Sequence, residues 1–252
     1  MYDPDTSIGG DRDRFPVTRA TIVEGLAATD PGVRTRAFDT LVRGYWKPVY
    51  KYLRIRWQAT NEDSKDLTQE FFARCLEKRL LDGYDPARAR FRTWLRVCLD
   101  GFAANERKSA TRLKRGGGAP VLSLDVAGAE AELGRLQIRE GLDPERFFEQ
   151  EWVRALFSAA VDRLRAWCTA SGKEIHFELF RTLDLDAPAA GRKPTYADLG
   201  REHGLPVSQV TNFLALARRE FRRTVLELLR EECGGEDEFR REARELLGTD
   251  PG

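Results

Sequence analysis

Between its glycine and proline interruptions the chain repeats apolar residues every three or four positions, the period of an amphipathic helix. Few period-two runs of the kind that make strands occur. The interruptions fall at Gly32, Gly83 with Pro86, 116–120, Gly141 with Pro144, Gly172, 188–194, Gly204 with Pro206, and 234–235. They leave two helical blocks, 15–115 and 147–232. The stretch between them is rich in Gly and Ala, carries Glu130, Glu132, Glu140 and Asp143, and reads as a flexible linker. The expected fold is therefore all-α. Two helical domains, 16–115 and 147–230, are joined by a flexible linker at 116–146 and followed by an acidic C-terminal extension at 231–252.

The most specific pattern runs over residues 195–225. Thr195 is placed to cap a short helix, with Asp198 three residues on as its capping-box partner, and Gly204 to stop it. Leu205 and Pro206 form a turn, and a second helix starts near Val207 or Ser208. Gly200 lies where the two helices must approach closely. At 100° per residue, Val210, Phe213, Leu214, Ala217, Phe221, Val225 and Leu228 share one side of that helix. The other side collects Ser208, Thr211, Asn212, Ala215, Arg219, Arg222 and Arg223, with Glu220 only at its margin. A helix-turn-helix of this kind places short hydrogen-bonding residues at base edges and later arginines at phosphates.

Residues 90–108, RFRTWLRVCLDGFAANERK, form a second candidate. Phe91, Trp94, Leu95, Cys98 and Phe102 make an apolar stripe, and Arg92, Arg96 and Arg107 share the far side with Thr93 and Asp100. Arginines beside aromatic rings can pair with phosphates and support unstacked bases, although a charged exterior over an aromatic core would look the same. Upstream, Asp63, Asp66, Glu70 and Glu77 fall on one helical face, either a solvated surface or an interface.

Charge at first argues against a nucleic-acid partner. The chain of 252 residues has 42 Lys+Arg against 41 Asp+Glu, a net charge of +1. That sum hides segregation: 88–115 holds nine bases and two acids, whereas 231–252 holds eight acids and three bases. The basic span is the electrostatic footprint of phosphate binding. With 14 Phe, 5 Trp and 6 Tyr there is ample material for a core. No window approaches the roughly 18 apolar residues of a membrane span, and 1–16 lacks the layout of a secretory signal. Four dispersed cysteines without a CxxC, and two histidines, point to a reducing cytoplasm and to no disulfide framework, metal centre or cofactor.

Four segments in this order resemble the extracytoplasmic-function sigma factors, the small promoter-recognition subunits of bacterial RNA polymerase. They are DLTQEFFARCL (66–76), YDPARARFRTWLRVCL (84–99), the basic 107–115, and the helix-turn-helix with its continuation ALARREFRR (215–223). The resemblance implies a region-2-like first block and a region-4-like last block. Asp66, Gln69 and Glu70 would dock on the clamp of core RNA polymerase. Arg90, Arg92, Arg96, Asn105, Arg107 and Lys108 would bind and help melt the minus-ten element of promoter DNA. Ser208, Gln209, Thr211 and Asn212, with Arg218, Arg219 and Arg222, would read and grip the minus-thirty-five element. The linker would thread the polymerase channels. An anti-sigma factor is a further partner that the resemblance admits.

Some features depart from that pattern. Gly101 stands where Asn is common, Gly200 where Ala is usual, and 181–194 is longer than expected. The tail, with apolar positions Phe239, Ala243, Leu246 and Leu247, is an addition that would pack on the second block or hold a partner. An enzyme finds little support: 116–118 lacks the lysine and hydroxyl residue of a phosphate loop, and His176 and His203 have no ligand set at suitable spacing. The competing reading is a helix-turn-helix regulator that does not bind polymerase, which leaves 66–72 and 91–95 unexplained.

Overall fold

Helix starts follow the cap residues of the chain. Asp30 accepts from the Val33 amide at 2.9 Å and Asp143 from the Glu145 amide at 3.0 Å, each with a proline at the first helical position. Thr60 accepts from the Asp63 amide at 3.1 Å. The computed structural model describes residues 19–77, 80–81, 83–85, 88–109, 122, 124–135, 143–186, 193–233 and 235–248. Among them every regular element is helical, so the fold is all-α. In chain order these are α1 (Arg19–Ala27), α2 (Pro31–Arg56), α3 (Asn61–Glu77), α4 (Phe91–Ser109), α5 (Val126–Arg135), α6 (Pro144–Ala170), α7 (Glu174–Phe180), α8 (Tyr196–His203), α9 (Val207–Glu232) and α10 (Glu236–Leu247). A π-helical segment, Arg181–Leu185, continues α7. None of the described helices is long and apolar enough to cross a membrane.

The hub is α2, which packs against α1, α3, α4, α5 and α6. Its residues Pro48, Val49, Tyr50, Lys51, Tyr52 and Leu53 are all buried, so this part of the helix is enclosed on every side. One of the six is a cation. Lys51 Nζ lies 2.6 Å from Glu132 on α5 and 2.6 Å from Glu151 on α6, and both Lys51 and Glu151 are about as buried as core leucines. A buried ammonium costs several kcal/mol unless carboxylates compensate it, and here two do.

The same charge logic places α5. Lys47 donates to Glu132 at 2.8 Å, Tyr50 Oη to Glu130 at 2.6 Å, and Arg54 Nε to Glu130 at 2.7 Å. Ala129 and Leu133 close against Tyr50 and Phe147. Residues 126–135, within the stretch expected as a flexible linker, thus form a helix packed on α2. Ala and Glu are good helix formers, and cationic or hydroxyl partners on α2 hold the two carboxylates.

Two apolar cores result. The larger joins Leu41, Tyr45, Phe71, Phe91 and Leu95 to Phe148, Trp152 and Leu156 of α6, Val225 and Leu229 of α9, and Phe239 and Ala243 of α10. The smaller joins Leu164 and Cys168 of α6 to Phe177, Phe180, Leu199, Val210 and Leu214. Both α6 and α9 run through the two cores, and Phe221 packs on each. Each of these two helices thus gives one part of its length to the larger core and the other part to the smaller.

Lys51→Met should lower the unfolding free energy by about 3–5 kcal/mol, because it leaves the buried Glu151 with the half-exposed Arg154 alone. The double change Lys51→Met/Glu151→Met should recover most of that loss in urea titrations. Absence of recovery would assign the effect of Lys51 to packing instead of charge.

A second expectation concerns acid. The hydrogen bond from Arg54, opposed by burial but aided by Tyr50, holds the Glu130 carboxyl below its ordinary value of 4.5. Burial pushes Glu132 up, but hydrogen bonds from Lys47 and Lys51 outweigh it and leave it lowered as well. Their stabilisation is complete above pH 4.5, the unfolded value, and is lost as pH falls through the lower folded values. Glu130→Gln/Glu132→Gln should flatten the acid limb of the stability–pH curve; an unaltered limb would show that other carboxyls control it.

Candidate nucleic-acid interface

The α8–turn–α9 unit is built from local chemistry. Thr195 Oγ1 accepts from the Asp198 amide at 3.1 Å, and the Asp198 carboxylate accepts from the Thr195 amide at 2.9 Å, a complete capping box. Gly204, at φ +66°, ends α8 in the left-handed region. The Leu205 amide then donates to Gly200 O at 2.8 Å. A Cβ on Gly200 would sit 2.6 Å from Leu205 O, so the approach is too close even for alanine.

From this turn α9 projects with Val210, Leu214, Ala217, Val225 and Leu228 buried. Ser208, Gln209, Thr211, Asn212, Ala215, Arg219 and Arg222 are exposed on the opposite side. The Thr211 hydroxyl donates back to Val207 O at 2.9 Å. Arg219 is 73% exposed, with only Glu220 near it at 3.9 Å. Beneath the helix, His176 stacks on Phe213 at 4.1 Å, and burial, then Lys173, hold its imidazole toward the neutral form.

Arg218 is placed differently from its neighbours. Its guanidinium donates to both oxygens of Asp184, at 2.8 and 2.9 Å, and to Tyr196 Oη at 3.1 Å. The long segment before α8 thus supplies an anchor that clamps Arg218 across the side of the helix-turn-helix. No sequence signal marked Asp184, which is 34 residues from its partner.

On α4 the six candidate residues separate into two groups. Asn105, Arg107 and Lys108 are exposed near its C-terminal end, and the Arg107 guanidinium lies 5.0 Å above the Trp57 ring. Arg90, Arg92 and Arg96 do not form an open face. Arg92 is 4% exposed, 4.3 Å above the Trp152 ring, and ion-paired with Glu149 of α6 and, at 3.0 Å, Glu242 of α10. Arg90 pairs with Glu242 at 3.0 Å and Glu245 at 2.9 Å. Arg96 pairs with Glu145 at 2.6 Å and Asp100 at 3.1 Å. Asp100 also accepts from Tyr52 Oη at 3.0 Å and Trp57 Nε1 at 3.0 Å, which fastens α4 to the end of α2.

On α3, Asp66 is exposed and Gln69 half-buried. Glu70 accepts from Arg74 Nε at 2.9 Å, and Arg74 also bonds Glu106 of α4 at 2.5 Å with its guanidinium 4.9 Å from the Phe102 ring. Glu70 is therefore committed to the α3–α4 junction, and Asp66 and Gln69 form the accessible part of that stripe. Among the described residues no group of three or more His, Cys, Asp or Glu is placed to hold a metal ion. No family model, curated protein or solved structure matches the chain.

Two glycines test this geometry in opposite directions. Gly200→Ala should destabilise the protein by about 1–3 kcal/mol, because a backbone carbonyl must move. Gly101→Ala, exposed within α4 and with nothing within 4 Å of its Cβ, should stabilise by roughly 0.5–1 kcal/mol. Equal effects of the two in chemical denaturation would contradict the close turn at Gly200.

Proposed function

We propose that the chain is an RNA polymerase sigma factor of the extracytoplasmic-function type. It is a non-catalytic, cytoplasmic subunit that joins core polymerase and directs promoter recognition, strand opening and initiation. The observation that carries this reading is the exposed face of α9, with Ser208, Gln209, Thr211 and Asn212 leading and Arg219 and Arg222 following, on a helix held by a capped turn. In this reading that face takes the minus-thirty-five element in a major groove. The α4 segment takes the minus-ten element, α3 offers Asp66 and Gln69 to the polymerase clamp, and 116–146 connects the two promoter-binding units.

One observation favours the second reading, a helix-turn-helix regulator that works without polymerase. Arg90, Arg92 and Arg96 are engaged by carboxylates of the same chain, so the α9 face is the more accessible of the two arginine-bearing surfaces. The segments 66–76 and 84–99, which a regulator does not need, weigh on the other side.

Run-off transcription with core polymerase over genomic fragments should give defined start sites that vanish when the protein is omitted. Duplex DNA binding without polymerase association would falsify the sigma reading in favour of the regulator. In either case Arg219→Ala should reduce the log–log salt slope of duplex binding by about 0.9, the contribution of one phosphate. An unaltered slope would put that arginine off the DNA.

A further inference from the structure

We propose that α10 is an intramolecular lock on the α4 arginines, an acidic helix whose carboxylates stand where DNA phosphates must go. This rests on the reading of α4 as a DNA-binding helix and adds its regulation. The lock has three parts. Phe239 and Ala243 seat α10 in the larger core, with the Arg230 guanidinium 4.2 Å over the Phe239 ring. Glu242, 2% exposed, faces both Arg90 and Arg92 at 3.0 Å. Glu245, on the next turn, takes Arg90 from the solvent side at 2.9 Å.

The placement fits a releasable element better than a permanent one. A helix of twelve residues is marginal in isolation, and α10 starts at Gly235 without a side-chain cap. Its hold is the apolar contact of Phe239, Ala243, Leu246 and Leu247 together with ion pairs to Arg90, Arg92 and Arg230. The Arg90–Glu245 pair is partly open, with the two side chains 36% and 57% exposed, so phosphates in solution can compete for that arginine. Arg92 and Glu242 are closed off, and they separate only if α10 leaves as a unit. Departure of α10 leaves Arg90 with neither of its two carboxylates and Arg92 with Glu149 alone, beside the already exposed Asn105, Arg107 and Lys108. With α10 seated only the second half of the α4 set faces solvent; with α10 away Arg90 joins it and Arg92 loses one of its two carboxylates, while Arg96 keeps Glu145 and Asp100.

The test is binding of fluorescein-labelled oligothymidylate to the full chain, read by anisotropy over a salt series. Glu242→Gln/Glu245→Gln should bind on the order of ten-fold tighter at low salt, with a slope steeper by about 0.7 for each arginine released. Adding Arg90→Gln to that variant should remove most of the gain. Glu245→Arg, at an exposed position where folding is not at stake, should give a smaller gain of the same sign by repelling Arg90. If the folded Glu245→Arg protein binds like the parent, or if the gain survives Arg90→Gln, the lock does not exist. Run-off transcription in parallel keeps the two ideas apart. Start sites with unchanged oligothymidylate binding would overturn the lock alone, and a gain in binding without any start site would overturn the sigma reading alone.

Discussion

An ammonium group buried on a helix that packs against five others must be neutralised from close range, and Lys51 is in that position. Its partners come from far along the chain, Glu132 81 residues away and Glu151 100 residues away. Bringing them in carries α5 and the start of α6 onto α2, and with α6 come Phe148 and Trp152. Six residues earlier on the same helix Tyr45 Oη donates to Glu232 at 2.7 Å, which draws in the last turn of α9. Apolar burial supplies the bulk of the stabilisation, but it is indifferent to which helix covers which face. The charges on α2 are not indifferent, because each one left unmatched in the interior outweighs the gain from an extra buried methylene several-fold.

The near-zero net charge has a structural counterpart. Acids of α6 and α10 meet the arginines at the start of α4, and acids of α5 meet the cations of α2. These pairs differ in kind. Arg90 with Glu245 is partly solvated, and pairs of that sort contribute about 0–1 kcal/mol. Arg92 between Glu149 and Glu242 is buried, and loss of either partner leaves it a single counter-charge and little solvent. On α9, Arg218 is taken by Asp184 and Arg223 by Glu220 and Glu227, whereas the exposed Arg219 has Glu220 beside it at 3.9 Å.

What could be read from the sequence was what is decided within one or two helical turns. The capping box of Thr195 and Asp198, the stop at Gly204, the start of α9 at Val207 and the buried side of that helix all follow from residues a few positions apart. The apolar positions of α10 were legible for the same reason. The surroundings of Arg92 were not, since its carboxylates lie 57 and 150 positions away and an arginine on a polar helical face looks alike whether it meets water or glutamate. Helix α5 was hidden by its two glycines, and its partners on α2, with the apolar contact to Phe147, distinguish it from a tether. At Gly200 the spacing indicated a small residue, and the 2.6 Å approach to Leu205 O narrows that to glycine.

The passage of α6 through both apolar cores gives the protein an internal ruler. A helix of 27 residues is about 40 Å long at 1.5 Å per residue, and its two halves are cemented into different cores. The offset between the surface of α4 and that of α9 is set by this rod and by α9 alongside it. Any partner that requires another offset must break helical hydrogen bonds in the interval between Ala160 of the larger core and Leu164 of the smaller. The offset between those two surfaces is in this sense quantised: one value with α6 whole, and another only at the expense of a turn.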